Sequence, residues 1–345
     1  MIRVLVAEDS PTARQLLVEM LTSDSGITVV GEARNGLEAI EMAERLRPDL
    51  ITMDVEMPEL DGLEATMRIV GKFPTPIIIV SSQANASEVA LSLEATRAGA
   101  LMVLPKPAGP ASPRFREQQT HLVAMVKAMS DVKVVRRWGA STPTKARRAL
   151  HVHPARPSER PSMVAIGAST GGPAALRDMF NAMPASFAVP ILVVQHISKG
   201  FVNGLANWLD ANTKLQVHVA TANAIARPGA VYIAPDDYQL GIRDDGRIHL
   251  SGAPPVGSFR PSATHLFASA AAAYGNRMIA VILTGMGDDG VTGLRAVHAA
   301  GGLVVAQDEA TSIVYGMPRE AARAGVVTTT LALPDIAPYL VEVVS

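Results

Sequence analysis

The chain has 345 residues, which at about 150 residues per domain points to two domains. Hydrophobic residues make up 48% and charged residues 18%, enough apolar material for real cores, and this excludes disorder throughout. The 31 Lys and Arg balance the 32 Asp and Glu for a net charge of −1, which excludes a globally basic nucleic-acid binder, and the absence of Cys excludes disulfides, thiolate zinc sites and cysteine nucleophiles.

No apolar run approaches the roughly 18 residues of a membrane span, and the opening MIRVLVAEDS turns acidic at Glu8, unlike a secretory leader. The expectation is a cytoplasmic protein without membrane insertion and without a nucleic-acid partner.

Residues 1 to about 106 alternate short apolar runs with helical patterns. Strands are predicted at 2–7, 28–33, 50–53, 77–80 and 101–104, and helices at 12–22 and 36–46, where apolar residues recur at helical spacing. Such alternation argues for βαβ units and a parallel sheet. Between Lys106 and Arg160 the composition shifts to twelve Lys or Arg against three acids, with recurrent prolines. Apart from a helical pattern at 121–129, this stretch reads as a basic, Pro-containing linker, most simply a solvated tether.

From Met163 the alternation resumes. Strands are predicted at 163–166, 191–194, 217–220, 231–234, 278–283 and 303–306. Helices are predicted at 174–183, 201–212, 262–274, 290–300 and 319–324. Asp245-Gly246 between two alternating stretches in 236–250 predicts a β-hairpin appended to the sheet. The fold class expected is α/β throughout: a five-stranded parallel sheet, then a doubly wound, mostly parallel sheet with the hairpin. The boundaries expected are a first domain over 1–120, a linker over 121–160 and a second domain over 161–345.

In an open parallel sheet, ligands sit at the carboxyl ends of the strands. In the first block Glu8 and Asp9 follow the first strand, Asp54 the third, Ser81 and Ser82 the fourth and Lys106 the fifth. Clustered carboxylates repel unless a hard cation joins them, and oxygen ligands suit Mg²⁺. Mg²⁺ with a Lys ammonium would neutralise an incoming phosphoryl group, leaving Asp54 to become an aspartyl phosphate.

The phrases VAEDS (6–10), MDVEMPELDG (53–62) and LPKP (104–107) resemble a two-component response-regulator receiver domain. That resemblance implies a flavodoxin-like sheet and a histidine kinase as phosphodonor. It implies Asp54 as the phospho-acceptor, a Mg²⁺ site from Glu8, Asp9, Asp54 and the carbonyl of Glu56, and Ser81 and Lys106 as switch residues. Two positions depart from the family pattern: Glu8 replaces the commoner Asp, and Val103 stands where an aromatic is frequent.

In the second block, IGASTGGP (166–173) runs from a strand through a small-residue turn toward a helix. Glycines allow close backbone approach, and helix N-terminal N–H groups favour an anion or an oxyanion. A Ser nucleophile needs a base. Of eight His, only His196 directly follows a buried strand, and the strand at 278–283 runs into TGMGDDG (284–290). Ser169, His196 and one of Asp288 or Asp289 thus fall at three strand ends of one sheet, and geometry rather than chain order defines a triad.

These phrases, with Gln195-His196 and Arg260-Pro261-Ser262, resemble the catalytic domain of the CheB family, chemotaxis protein-glutamate methylesterase/glutaminases. The resemblance implies Ser169 as nucleophile, His196 as base and Asp289 as orienting acid. Thr170 and the backbone near Met286 would assist, and no cofactor is implied at the hydrolase site. It further implies methyl-accepting chemoreceptors as substrates and a receiver that inhibits the catalytic site until Asp54 is phosphorylated.

Overall fold

A computed structural model describes residues 1–82, 86–132 and 159–345. The chain forms two compact units, Met1–Ala140 and Ser141–Ser345. Most of the basic stretch read as a linker lies outside the described residues. No described helix is long and apolar enough to cross a membrane.

In the first unit, β1 (Ile2–Ala7), β2 (Ile27–Ala33), β3 (Leu50–Met53), β4 (Ile77–Ser81) and β5 (Met102–Pro105) form one parallel sheet in the order β2-β1-β3-β4-β5. The central strands are apolar on both faces because helices cover both. These are α1 (Pro11–Thr22), α2 (Gly36–Leu46), α3 (Gly62–Lys72), α4 (Ala86–Arg97) and α5 (Phe115–Ser130), with α1 against α5, α2 against α3 and α3 against α4. Ser10, Asn35 and Asp61 cap α1, α2 and α3 through side-chain oxygens that accept N–H groups of the first turn. Helix α5 crosses residue 120, where the sequence composition placed a boundary. Leu122, Val126 and Met129 on it are buried, so the first unit extends beyond that point.

In the second unit the sheet has seven parallel strands, β6 (Met163–Ala168), β7 (Ile191–Gln195), β8 (Gln216–Val219), β9 (Ala230–Ile233), β12 (Met278–Ile282), β13 (Leu303–Gln307) and β14 (Thr329–Leu331). Their order is β14-β13-β12-β6-β7-β9-β8. The predicted hairpin is β10 (Gln239–Ile242) with β11 (Ile248–Ser251), antiparallel and paired only with itself. Helices α6 (Gly172–Asn181), α7 (Val202–Asn212) and α11 (Leu333–Val344) form one packed group. Helices α8 (Ala263–Tyr274), α9 (Val291–Ala299) and α10 (Met317–Arg323) form another, which the hairpin joins through α8. Leu240, Ile242 and Ile248 of the hairpin share an apolar core with Leu266, Phe267 and Ala270 of α8 and with strands β6, β7 and β12. That burial holds the hairpin to the sheet without ladder hydrogen bonds.

The winding reverses across the first strand of each unit, between β1 and β3 in the first and between β6 and β12 in the second. Those reversals open crevices at the carboxyl ends of the strands. In the first crevice the backbone is closely packed. The N–H of Gly62 donates to the Val55 carbonyl at 2.8 Å, and a Cβ on Gly62 would lie 1.8 Å from the Asp54 carbonyl oxygen. The Gly62→Ala variant should therefore force α3 away from the loop after β3 and cost about 1–3 kcal/mol. The expected readout is faster hydrogen exchange at amides of β1 and β3, with the seven-stranded sheet unchanged.

Candidate active site and phospho-acceptor site

The second unit builds its site from three loops. Strand β6 ends at Ala168, and Ser169 follows in a turn whose carbonyl accepts the Gly172 N–H at 2.8 Å. Gly171 adopts a left-handed conformation with φ of 78°, and Pro173 opens α6. The serine thus lies in the turn before the helix. Next to it, Ala168 is in register with Gln195 of β7, and the His196 N–H donates to the Ala168 carbonyl at 2.9 Å. The buried Gln195 amide donates to the carbonyls of both Ser169 and His196, each at 2.8 Å. One side chain therefore fixes the two backbones side by side. Gly172 leaves room for it, since a Cβ there would lie 1.9 Å from Gln195 Oε1.

The third loop follows β12. The Ser169 N–H donates to the Thr284 carbonyl at 3.0 Å, and the Thr284 hydroxyl donates to the carbonyl of buried Thr170 at 2.9 Å. Gly285 lies against Ser169, where its own Cβ would come within 2.7 Å of the serine Cβ. Met286 is 44% exposed at the rim of this loop.

Asp289 is 6% exposed and accepts four hydrogen bonds. Ser262 Oγ donates at 2.7 Å and the Thr264 N–H at 3.1 Å to Oδ1, while the Ala263 N–H donates at 2.7 Å to Oδ2. His196 Nε2 lies 2.8 Å from Oδ2. Burial pushes the Asp289 carboxyl up, but the bonds from His196, Ser262 and Ala263 outweigh it and hold the group down to about 2. A carboxylate that stays ionised only accepts, so the imidazole donates to it through an Nε2–H, which leaves Nδ1 as the nitrogen turned away from Asp289. Nδ1 is buried and has no hydrogen-bond partner, and no bond joins it to the Ser169 hydroxyl. The imidazole is also stacked on Phe259, ring centroids 4.1 Å apart and planes 7° from parallel.

The structure places Ser169, His196 and Asp289 after neighbouring strands β6, β7 and β12, with Asp289 rather than Asp288 on the imidazole; the sequence reading leaves out other residues of the site. It did not find Phe259, Gln239 or the donor role of Ser262. The one local signal is the phrase Arg260-Pro261-Ser262, which contains Ser262 and directly follows Phe259.

In the first unit Glu8 is fully buried and Asp54 is 2% exposed. Lys106 Nζ bridges them, 2.7 Å from Asp54 Oδ2 and 3.0 Å from Glu8 Oε1. The Val55 N–H holds Asp54 Oδ1 at 2.8 Å. Burial and the neighbouring Asp54 charge raise the Glu8 carboxyl to about 7 against the pull of Lys106, and burial raises Asp54 as well. Glu8 Oε2 is buried without a partner. Carboxylate oxygens of Glu8, Asp9 and Asp54 lie within 4.8 Å of one another. An orphaned buried carboxylate oxygen beside two further hard oxygen donors fits Mg²⁺. Buried Ser81 closes β4, and its carbonyl accepts the Lys106 N–H at 2.9 Å. Its hydroxyl donates weakly to the Ser82 carbonyl at 3.4 Å. The Glu56 side chain is exposed.

Comparison with known proteins gives each unit a family. The family described as CheB methylesterase matches residues 164–340, and the response regulator receiver domain matches residues 4–113. Protein-glutamate methylesterase/protein-glutamine glutaminase 4 of Myxococcus xanthus is 53% identical, covering 98% of this chain and 96% of that protein. The corresponding enzyme 3 of Anaeromyxobacter dehalogenans is 50% identical over 99% of this chain and 98% of its own. The chain belongs to the CheB methylesterase family. The crystal structure of the Thermotoga maritima CheB methylesterase catalytic domain, 38% identical, superposes with a TM-score of 0.52 over 53% of this chain and 99% of that one. This CheB chain is therefore a carboxylic ester hydrolase, a protein-glutamate methylesterase with protein-glutamine glutaminase activity and a response-regulator receiver domain.

The ionised Asp289 carries a stability signature. Its carboxyl is lower in the folded CheB chain than the 3.8 of an unperturbed Asp, so its contribution is complete above about pH 4 and is lost as pH falls toward 2. The difference corresponds to about 2 kcal/mol. Asp289→Asn should lose about that much at neutral pH, and its deficit in unfolding free energy against wild type should shrink as pH is lowered from 4 toward 2.

Proposed function

We propose that Ser169, His196 and Asp289 act as a nucleophile–base–orienter set that hydrolyses glutamate methyl esters, and deamidates glutamines, on methyl-accepting chemoreceptors. Ser169 Oγ attacks the γ-carbonyl carbon of the substrate side chain while Nδ1 of His196 accepts the hydroxyl proton. Asp289 remains ionised and holds the Nε2–H, stabilising the imidazolium. The tetrahedral intermediate collapses with transfer of the Nδ1 proton to the leaving methoxide, releasing methanol and a γ-glutamyl ester on Ser169. Water, giving a proton to Nδ1, then attacks that ester; the Nδ1 proton passes to the departing Ser169 Oγ, and the receptor side chain leaves as a glutamate carboxylate. A glutamine enters the same acyl-enzyme with ammonia as the leaving group, so one site serves both reactions. Thr170 and the backbone at Met286 assist around the nucleophile and the oxyanion. What supports the assignment is the buried, unpartnered Nδ1 of an imidazole whose other nitrogen is tied to an ionised carboxylate.

In the receiver, Asp54 is the phospho-acceptor and a histidine kinase the donor. Glu8, Asp9 and Asp54, with the Glu56 carbonyl, would hold Mg²⁺, which supplies charge neutralisation for phosphoryl transfer. Asp54 Oδ1 or Oδ2 attacks phosphorus as the P–N bond of the kinase's phosphohistidine breaks and its imidazole leaves protonated; Lys106, which already spans Asp54 and Glu8, and Ser81 bind the transferred oxygens. The unphosphorylated receiver holds the hydrolase inhibited, and phosphorylation shifts the population to an active state. The enzyme works in the cytoplasm with its kinase.

Mass spectrometry of methylated receptor peptides tests both parts. Ser169→Ala should lower demethylation and deamidation by several orders of magnitude; a rate near wild type would exclude the assignment. Asp54→Asn should abolish the rise in turnover that a small-molecule phosphodonor produces in wild type.

A further inference from the structure

We propose that Phe259 is a positioning residue for the hydrolysis, and that buried Gln239 is its anchor. Together they hold the His196 imidazole in the orientation that presents Nδ1 to the reacting hydroxyl. The proposal rests on His196 being the base.

A single hydrogen bond does not fix an imidazole. The ring can tilt about the Nε2···Oδ2 line, and the torsion that turns it is a broad sp³–sp² rotor. Here Nε2 is tied to Asp289 while Nδ1 has no partner, so the hydrogen bonds of the ring leave that tilt open. The face-to-face contact with Phe259, 4.1 Å between centroids and 7° between planes, restrains it, because a tilted imidazole would lose contact or collide with the phenyl plane.

Phe259 needs an anchor of its own, since it lies outside regular structure between β11 and α8. Its backbone closes a tight turn with Val256: the Val256 N–H donates to the Phe259 carbonyl at 3.0 Å and the Phe259 N–H to the Val256 carbonyl at 3.1 Å. Gly257 supplies the left-handed residue of that turn, with φ of 59°. Gln239, at the start of β10 and fully buried, donates from Nε2 to the carbonyls of Phe259 and Pro254, each at 3.3 Å. Its Oε1 accepts the Ser262 N–H at 2.9 Å, and Ser262 Oγ is the donor to Asp289 Oδ1. One amide of the hairpin therefore secures both restraints on the imidazole, the stacked ring on its face and the carboxylate on its edge. The hairpin pairs with no strand of the large sheet, and this connection gives it a role at the reaction centre.

The test uses the full-length enzyme and methylated receptor. Phe259→Leu keeps apolar bulk and removes the flat ring. Its kcat should fall about tenfold or more, the scale expected for a misaligned group, with KM within about twofold of wild type. Phe259→Tyr should recover most of that loss, and Gln239→Leu should lower kcat in the same direction. Should the leucine variant fail to fold, Phe259→Met takes its place. With ¹⁵N-labelled histidine, the Nε2 proton of His196 should exchange with water faster in the leucine or methionine variant than in wild type or Phe259→Tyr. Unchanged kcat in Phe259→Leu, equal losses in the leucine and tyrosine variants, or a rise in KM alone would overturn the proposal. Ser169→Ala, run in parallel, separates the two failures: activity there removes the triad itself. An inactive Ser169→Ala beside a fully active Phe259→Leu removes only the positioning role.

Discussion

The second unit is organised around one buried negative charge. An isolated carboxylate taken out of water is strongly disfavoured unless its oxygens are fully hydrogen-bonded. Asp289 meets that condition with two backbone N–H groups from the first turn of α8, the capping hydroxyl of the same helix and one imidazole nitrogen. The four donors come from three different constraints on the chain. The N–H groups are the ones any helix leaves unpaired at its start, Ser262 is the residue that caps that start, and His196 is held by the end of β7. The carboxylate is thus the point at which the β12 loop, α8 and β7 are brought into register.

The same topological rule places both chemical centres. A parallel sheet wound from the middle outward leaves a crevice where the winding reverses. The first unit puts Glu8 and Asp54 at the ends of the two strands that flank its reversal, and the second puts Ser169 and the loop to Asp289 there. In both, the backbone is packed so closely that glycine is required beside the functional residue, Gly62 against Asp54 and Gly172 against Gln195. These glycines belong to the sites as much as the side chains they accommodate.

Much of this was legible in the chain itself because the strands are short, apolar and bounded. A run such as Ile191–Gln195, buried on both faces, admits few other readings, and the polar residue after such a run falls at a sheet edge by construction. The hairpin turn was legible from Asp245-Gly246, whose glycine takes a φ of 78°. Other parts left weaker traces. Helices α3 and α4, strand β14 and helix α11 were not anticipated; α11 carries Pro338 within it, which reads as a helix breaker. Residues 252–261 have no periodicity, so the stacking of Phe259 and the reach of Gln239 emerge only when distant segments meet. The helical pattern at 121–129 is legible, but the basic composition around it sets it outside the first domain, whereas three buried side chains, Leu122, Val126 and Met129, tie α5 to that unit.

The two acid clusters differ in what neutralises them. Asp289 is balanced by peptide N–H groups, a serine hydroxyl and an imidazole nitrogen, fixtures of the fold that cannot leave without unfolding it. Glu8 and Asp54 are balanced by the ammonium of Lys106 on a flexible stem, which a stronger or newly arrived charge can draw away. One polypeptide therefore holds a permanent electrostatic setting and an exchangeable one. Of these two clusters the second is the one whose counter-charge can be displaced by an arriving ion, while the first keeps its donors as long as the fold stands.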